Sequence, residues 1–417
     1  MLGLLIQNAR LAAEGGVGKT QVAVRVARGR IVELAPNLTP NPGESVIDAN
    51  EQLLMPGVVD MKTFAADHEA AIAGGVTTLA IHPRKSRVQD RPSVIASLRK
   101  GAAPNQVNVE PIGAATKALE GTDLAEIGLM KAAGAVGFAN GRRAISDATV
   151  LLRLMRYAQS LDTLIYQHAE EPSLTHGAVA TEGETAQRMG LPAAPAFAEA
   201  MMIARDLRLV RETGCRYHVG LVTTAEAIDL IRTAKAEGLP VSAATAPAYF
   251  LLNDIAVNDY RTFLHLSPPL REESDRQAVI GAIADGTIDA IVSDHDPRTA
   301  EEKRLPFEES IAGMVGLETL LPLTLKLYHS GAVPDLSRLI DALTRAPADL
   351  IQSAAGRIEV GAPADLILVD LNRSWRIDSD KLASAAKNTG FDKLPVEGRV
   401  ELVVAGGHIL LNRHAST

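Results

Sequence analysis

Short apolar runs alternate with amphipathic, helix-like stretches through the middle of the chain. Eight runs have the length of a buried strand, and seven of them are followed by a predicted helix or loop-helix before the next run. The runs cover residues 58–60, 77–81, 107–112, 135–138, 163–168, 217–222, 240–244 and 290–294. This repeated order predicts an α/β fold, namely a (β/α)8 barrel of the TIM type.

The two ends of the chain have a different pattern. Residues 1–55 contain short β-like runs separated by Gly and Pro turns, and residues 356–417 have the same texture. Short strands bounded by turn residues are typical of antiparallel sheets. We therefore predict that both ends pair into one small β-sandwich domain and that residues 56–355 form the barrel.

One glycine-rich segment of the N-terminal region resembles the end of a phosphate-binding loop. In Gly15–Thr20 the first glycine of that motif would stand at position 13, which is Ala13, and residues 21–26 alternate like a strand. The motif requires a helix at that point. We interpret the segment as a hairpin turn.

The composition of the chain argues against several classes of protein and of binding partner. The chain has 417 residues, which suits one large and one small domain. A net charge of -8 argues against general nucleic-acid binding, and a single cysteine, Cys215, excludes a disulfide framework and a Cys-rich zinc site. The chain has no apolar run of the roughly 20 residues that span a membrane. These features predict a cytoplasmic protein without a membrane or nucleic-acid partner.

Recognisable motifs lie along nearly the whole chain. The densest stretch runs from residue 207 to residue 319 and includes Pro268–Arg271 and Asp289–Lys303, and further motifs cover 73–78, 167–171 and 361–366. In this order they resemble the dihydroorotase family of metal-dependent cyclic amidohydrolases. The resemblance implies the barrel fold and a metal centre that activates water and polarises the ring amide. It also implies an aspartate at the end of strand eight that transfers the proton.

Most positions that hold metal ligands in this family have lost their ligand here. The family's first strand ends in Asp-x-His-x-His, and this chain has Lys62 and Phe64 in place of the two histidines. Neither an ammonium group nor a phenyl ring can replace a neutral imidazole. Asn140 lies in the stretch that carries the family's acidic ligand, and Leu221 stands where strand six supplies a histidine.

Two members of that set are kept, His168 and Asp294. Catalytic zinc usually has three protein ligands and one open position, so the resemblance predicts that the zinc site is lost and that the chain needs no cofactor. Strands one and eight are neighbours in a closed barrel. We therefore predict an ion pair between Lys62 and Asp294 in the place of the metal.

The positions that bind substrate in the family have changed as well. Arg84 replaces an asparagine, Ser267 replaces the asparagine before Pro-Pro-Leu-Arg, and Arg298 replaces a histidine. Together with the lost ligands, these changes predict a pseudoenzyme in which Asp294 is vestigial.

The family includes inactive homologues that associate with aspartate carbamoyltransferase. The resemblance therefore implies a structural or regulatory subunit of such a complex in pyrimidine biosynthesis, with the carbamoyltransferase catalytic subunit as partner and a homo-oligomeric state. Two alternatives stay open. One is a residual or altered metal-dependent cyclic amidohydrolase, and the other is a small-molecule sensor that uses the former active-site pocket.

Overall fold

The computed structural model describes residues 3–413 apart from residues 14, 15 and 102. Within these residues the chain forms two eight-stranded sheets and one two-stranded sheet. One large sheet is built from the two ends of the chain and the other from its middle. The fold predicted from the sequence, a TIM-type barrel with an additional sheet domain, is confirmed.

The sheet made from the chain ends is mostly antiparallel. Its order is β18-β17-β16-β5-β1-β2-β3, with β4 beside β1, and β1 runs parallel to β4 and β5. Apolar side chains on one face of these strands form a separate core cluster. The strands are β1 (Leu4–Ala13), β2 (Gly16–Ala27), β3 (Arg30–Ala35), β4 (Ser45–Asp48), β5 (Leu53–Pro56), β16 (Leu366–Arg376), β17 (Pro395–Ala405) and β18 (His408–Asn412).

The glycine-rich segment belongs to this sheet. β1 and β2 pair antiparallel from Leu4 opposite Val26 to Ala13 opposite Gly16. Residues 14 and 15 of the predicted turn lie outside the described residues. The residues that follow continue as a strand, so the helix that a phosphate-binding loop requires is not formed there.

The second sheet is the barrel, and all of its neighbouring strands are parallel. All six residues of each of its first two strands are buried, because side chains fill the interior and helices cover the outside. The barrel strands are β6 (Val58–Thr63), β7 (Val76–Ile81), β8 (Asn108–Ala114), β9 (Gly137–Ala139), β10 (Ile165–Gln167), β13 (Tyr217–Val219), β14 (Val241–Thr245) and β15 (Ala290–Ile291). A short pair, β11 (Ala180–Thr181) and β12 (Ala193–Ala194), lies outside it.

Fourteen α-helices in the described part of the chain connect and cover these strands. The helix at 148–160 shows how: its buried residues recur at positions 150, 151, 154, 155 and 158, the spacing of one helix face. None of the described helices is long and apolar enough to cross a membrane. The helices are α1 (His68–Ala73), α2 (Pro92–Leu98), α3 (Ile127–Ala132), α4 (Ala148–Ser160), α5 (Pro172–Thr175), α6 (Glu184–Met189), α7 (Phe197–Thr213), α8 (Ala225–Ala236), α9 (Pro247–Leu251), α10 (Glu273–Asp285), α11 (Ala300–Arg304), α12 (Leu320–His329), α13 (Leu336–Leu343) and α14 (Arg345–Leu350).

Asp60 joins the first and last barrel strands. Between β6 and β15 a side chain replaces much of the backbone ladder: the Asp60 carboxylate accepts hydrogen bonds from the Ser293 backbone N (3.1 Å) and the Ser293 hydroxyl. The Phe64 backbone N donates to the His295 carbonyl oxygen at 2.9 Å. The barrel is therefore closed at this seam by a few specific hydrogen bonds.

Asp60→Ala is expected to lower the free energy of unfolding by about 2–4 kcal/mol, because it leaves buried donors of Ser293 without an acceptor. Urea denaturation followed by circular dichroism measures the change. Asp60→Asn is the matched control, since its amide oxygen still accepts from the Ser293 backbone N. An alanine variant as stable as the wild type would show that the seam does not depend on Asp60.

Candidate active site

Lys62 and Asp294 face each other at the carboxyl-terminal mouth of the barrel. Lys62 Nζ lies 3.0 Å from Asp294 Oδ1, and their side chains are 3% and 11% exposed. The predicted ion pair is therefore present in the structure. It forms because residue 62 lies at the carboxyl end of the first barrel strand and residue 294 follows the last strand, and the closed barrel brings these two ends together.

Arg142 is the central cation of this mouth, and the sequence analysis missed it. Its Nη2 lies 2.9 Å from Asp294 Oδ2 and its Nε lies 2.9 Å from Asp296 Oδ2. Its Nη1 donates to the Ser267 carbonyl oxygen at 2.8 Å, and its guanidinium carbon lies 4.5 Å from the centre of the Phe64 ring. Its position three residues after β9 was an available signal, because charged residues just beyond barrel strands lie at the mouth.

Asp296 forms ion pairs with two further arginines, both at positions identified from the sequence. Arg298 Nη2 lies 2.7 Å from Asp296 Oδ2, and Arg84 Nη1 lies 3.6 Å from Asp296 Oδ1. Arg84 is the most exposed of the mouth cations, at 36%. The mouth thus contains two carboxylates and four cations, an excess of positive charge carried by Lys62, Arg84, Arg142 and Arg298.

His168 and Ser267 form a second cluster with Glu170. His168 Nε2 lies 2.9 Å from Ser267 Oγ and also contacts Glu170, while Ser267 Oγ donates to Glu170 Oε2 at 2.6 Å. Burial alone would raise the pKa of Glu170, but the charge of His168 and these hydrogen bonds lower it to about 2. Arg142 connects this cluster to Asp294 through the backbone of Ser267.

The other two positions of the family's metal set point to other partners. Asn140 Oδ1 accepts from Thr116 Oγ1 at 2.6 Å, and its amide nitrogen donates to the Leu119 carbonyl oxygen. Leu221 is buried in the apolar core. The structure therefore brings Lys62, Phe64 and Asp294 together, whereas Asn140 and Leu221 are used for packing and local hydrogen bonding.

Electrostatics favour an ionised Asp294. Burial alone would raise its pKa, but the charges of Arg142 and Lys62 outweigh burial and hold the pKa below its usual range. Burial lowers the pKa of Lys62 more than the charge of Asp294 raises it. The lowered pKa disfavours the charged form of Lys62, whereas the lowered pKa of Asp294 favours the charged form of that residue. Contact with two cations therefore favours the ionised form of Asp294.

The backbone of Asp294 adds a further constraint. Its φ is 49°, in the left-handed region that aspartate and asparagine enter more readily than other non-glycine residues. Such conformations recur where a side chain must be aimed at a particular point. Here the turn after β15 directs the carboxylate at Lys62 and Arg142.

The residues at the mouth do not fit the zinc ion that the fold family implies. No group of three or more His, Cys, Asp and Glu side chains with metal-binding geometry occurs in residues 3–413 outside positions 14, 15 and 102. Lys62 Nζ and Arg142 Nη2 occupy the two oxygens of Asp294, and fixed cations beside that carboxylate oppose a divalent metal. The groups at this mouth that can act on a substrate are therefore its own carboxylates and cations.

Comparison with known proteins places this site in context. The dihydro-orotase-like family profile matches residues 45–227. A dihydroorotase from Anaplasma phagocytophilum is 38% identical over 386 residues, covering 89% of this chain and 86% of that protein. A dihydroorotase from Geotalea daltonii is 36% identical over 401 residues, covering 93% of this chain and 94% of that protein.

The solved structures that resemble this fold include hydantoinases. The L-hydantoinase (dihydropyrimidinase) from Arthrobacter aurescens superposes with a TM-score of 0.85, at 24% identity, over 99% of this chain and 97% of that chain. The dihydropyrimidinase from Brevibacillus agri NCHU1002 superposes with a TM-score of 0.83 at 21% identity, over 99% and 95% of the two chains. At these identities the likeness supports the fold.

The prediction that the chain is not an enzyme is contradicted by these relatives. Proteins named for an enzyme activity match it at 36–38% identity over nearly its full length. From the sequence, the loss of catalysis was inferred from the loss of metal ligands. The Lys62–Asp294 pair was predicted, but Arg142 was missed, and that step did not consider that fixed cations beside the aspartate can stabilise charge on a substrate.

Proposed function

Since the chain belongs to the dihydroorotase-like family of cyclic amidohydrolases, we propose that it hydrolyses the ring amide of a small cyclic ureide such as dihydroorotate. The observation that carries the proposal is Asp294, held at the mouth of the barrel between two fixed cations. The names of the relatives supply the substrate class, and the geometry supplies the groups that can act on it.

Lys62 and Arg142 can stabilise the negative charge that develops on the amide oxygen during attack by water. Both are pre-positioned donors in a largely buried site, where such groups stabilise a developing oxyanion without reorganisation. Asp294 is ionised and partly accessible, so it can accept the proton of the attacking water and later return it to the departing ring nitrogen. Its lowered pKa makes it a weak base, and we therefore expect slow turnover.

The excess positive charge of the mouth suits a substrate that carries a carboxylate. Arg84 makes a single long ion pair with Asp296, and its buried Nε has no hydrogen-bond partner. A guanidinium group with unused donors can bind a carboxylate with two parallel hydrogen bonds. We propose that Arg84 holds the substrate carboxylate.

Ring opening of dihydroorotate by the purified chain, produced in a host that lacks its own dihydroorotase, tests the proposal. We expect slow hydrolysis that persists in the presence of a metal chelator. The product is followed by chromatography. Failure to open the ring over many hours at millimolar substrate would contradict the proposal.

We also propose that the protein holds no stoichiometric zinc. Position 62 carries an ammonium group and position 64 carries a phenyl ring. Position 140 carries an amide that is already hydrogen-bonded, and position 221 carries an aliphatic side chain. Elemental analysis of the purified protein is expected to find well under one metal per chain. A tightly held metal at one per chain that disappears in His168→Ala would contradict the proposal, whereas surface binding would survive that change.

The association with aspartate carbamoyltransferase stays a prediction, and it is compatible with an active enzyme. It rests on the resemblance to homologues that form such complexes. Light scattering after size-exclusion chromatography of the mixed proteins is the direct test. Separate peaks at micromolar concentration, with carbamoyltransferase activity unchanged by mixing, would count against the partner.

A further inference from the structure

A cavity next to the barrel mouth has Arg298 in its wall. It has a volume of about 490 Å³ and is bounded by the loop after β15, the start of α11 and residues 384–388 of the C-terminal region. This volume is within the range of small-molecule sites, roughly 300–1,000 Å³. Arg298 is the one cation of the barrel mouth that lines this cavity, so the cavity is distinct from the site around Asp294.

The polar groups of this cavity carry more positive than negative charge. Arg298, Lys303 and Lys387 line it together with one carboxylate, Asp67. Asp67 is already used: its Oδ1 accepts from the Ala70 backbone N, and its Oδ2 lies 3.6 Å from a histidine ring nitrogen. The lining therefore lacks a free anion to balance the two lysines.

Lys303 is the most unusual of these groups. Its side chain is buried, and its Nζ donates to the carbonyl oxygens of Thr262 (2.9 Å) and His265 (3.5 Å), with no carboxylate in ion-pair distance among the described residues. Burial lowers the pKa of Lys303 to about 7, and the charge of Arg298 adds to the effect. A buried ammonium without an anionic partner is costly, so an incoming carboxylate would relieve it.

A second buried group in the cavity also lacks a partner. Ser384 is 2% exposed, lines the cavity, and its Oγ has no hydrogen-bond partner. Buried hydroxyl groups are nearly always hydrogen-bonded, so this one lacks an acceptor, and a turn of its side chain toward the cavity would let it donate to a ligand. The other lining residues are mostly apolar, among them Phe263, Ala300 and Ala386, and Thr299 and Asn388 are the polar members.

We propose that this cavity binds a small carboxylate with an apolar body, with Lys303 and Ser384 donating to the carboxylate and the apolar walls contacting the rest. The site goes beyond the hydrolytic function, and it shares one wall residue, Arg298, with the mouth. Its ligand is recognised by a buried cation, a hydroxyl group and an apolar surface.

Calorimetric titration with benzoate, using benzamide as the uncharged molecule of the same shape, tests the proposal. Benzoate is expected to bind one per chain with a Kd of about 1 mM or tighter, and benzamide at least about tenfold more weakly, because a charged hydrogen bond is lost. No binding of benzoate in this range, or equal binding of benzamide, would overturn the proposal.

Two variants locate the site. Lys303→Met is expected to weaken benzoate binding at least about tenfold. Ala385→Trp, at an exposed lining position, is expected to fill the cavity and abolish binding even if Lys303→Met folds poorly. Lys326→Met, which lines a different groove, is the matched control and should bind normally. Unchanged binding by Ala385→Trp would overturn the site, whatever the outcome of the dihydroorotate assay.

Discussion

Asp294→Asn is expected to lower the rate constant for ring opening at least about hundredfold, the usual scale for loss of a general base. The carboxylate is the group that can accept a proton from the attacking water, and an amide cannot do so. Asparagine is the sharpest replacement because it keeps the size of the side chain and tolerates the left-handed backbone at φ 49°. Single-turnover measurement of ring opening gives the rate constant directly.

The control for this variant is its fold. Asparagine leaves Lys62 and Arg142 without their shared carboxylate, so some stability is lost. The assay is therefore run well below the unfolding midpoint, and circular dichroism confirms that the variant is folded. Ring opening by Asp294→Asn at the wild-type rate would show that Asp294 is not the proton acceptor.

Lys62→Met is expected to lower the free energy of unfolding by about 3–5 kcal/mol, the scale of breaking a buried ion pair from one side. Methionine is close to lysine in length but has no charge, so Asp294 keeps Arg142 as its one cationic partner within ion-pair distance among the described residues. The pKa of Asp294 should rise in the variant, because the charge of Lys62 is one cause of its lowering. Urea denaturation and a titration of the unfolding free energy against pH measure both effects.

The pH dependence has a defined sign. A carboxyl group whose folded pKa is lowered contributes stability that is present above its unfolded pKa of about 3.9 and is lost as the pH falls through the folded value. The wild type is therefore expected to lose stability below about pH 4 through Asp294. This acid-linked loss should shrink in Lys62→Met.

A double-mutant cycle separates the pair from its surroundings. If the loss of stability comes from breaking the Lys62–Asp294 pair, Lys62→Met combined with Asp294→Asn should lower the free energy of unfolding by less than the sum of the two single changes. The reason is that neither member of the pair is left as an unpaired buried charge. Lys326→Met controls for removal of a more exposed lysine. Additive effects of the two single changes would show that Lys62 and Asp294 are not coupled.

The sequence by itself determined the positions of the barrel strands and of the sheet formed by the chain ends. β6, β7 and β14 overlap closely with the predicted apolar runs at 58–60, 77–81 and 240–244. This was possible because buried parallel strands are short apolar runs bounded by turn residues, a local pattern that the chain carries in every segment. The Lys62–Asp294 pair was also predictable, since barrel closure makes the first and last strands neighbours.

Only the tertiary structure decided what surrounds that pair. Arg142 lies 152 residues from Asp294 along the chain, and its place just after β9 indicates the barrel mouth but not the partner that it contacts there. Its role depends on where the loop after β9 places a flexible side chain relative to the loop after β15. A long side chain with many rotamers can reach several partners, and the partner it takes is decided by packing and charge in three dimensions. The same holds for Lys303, because only the folded chain decides that no carboxylate among the described residues lies within ion-pair distance of its Nζ.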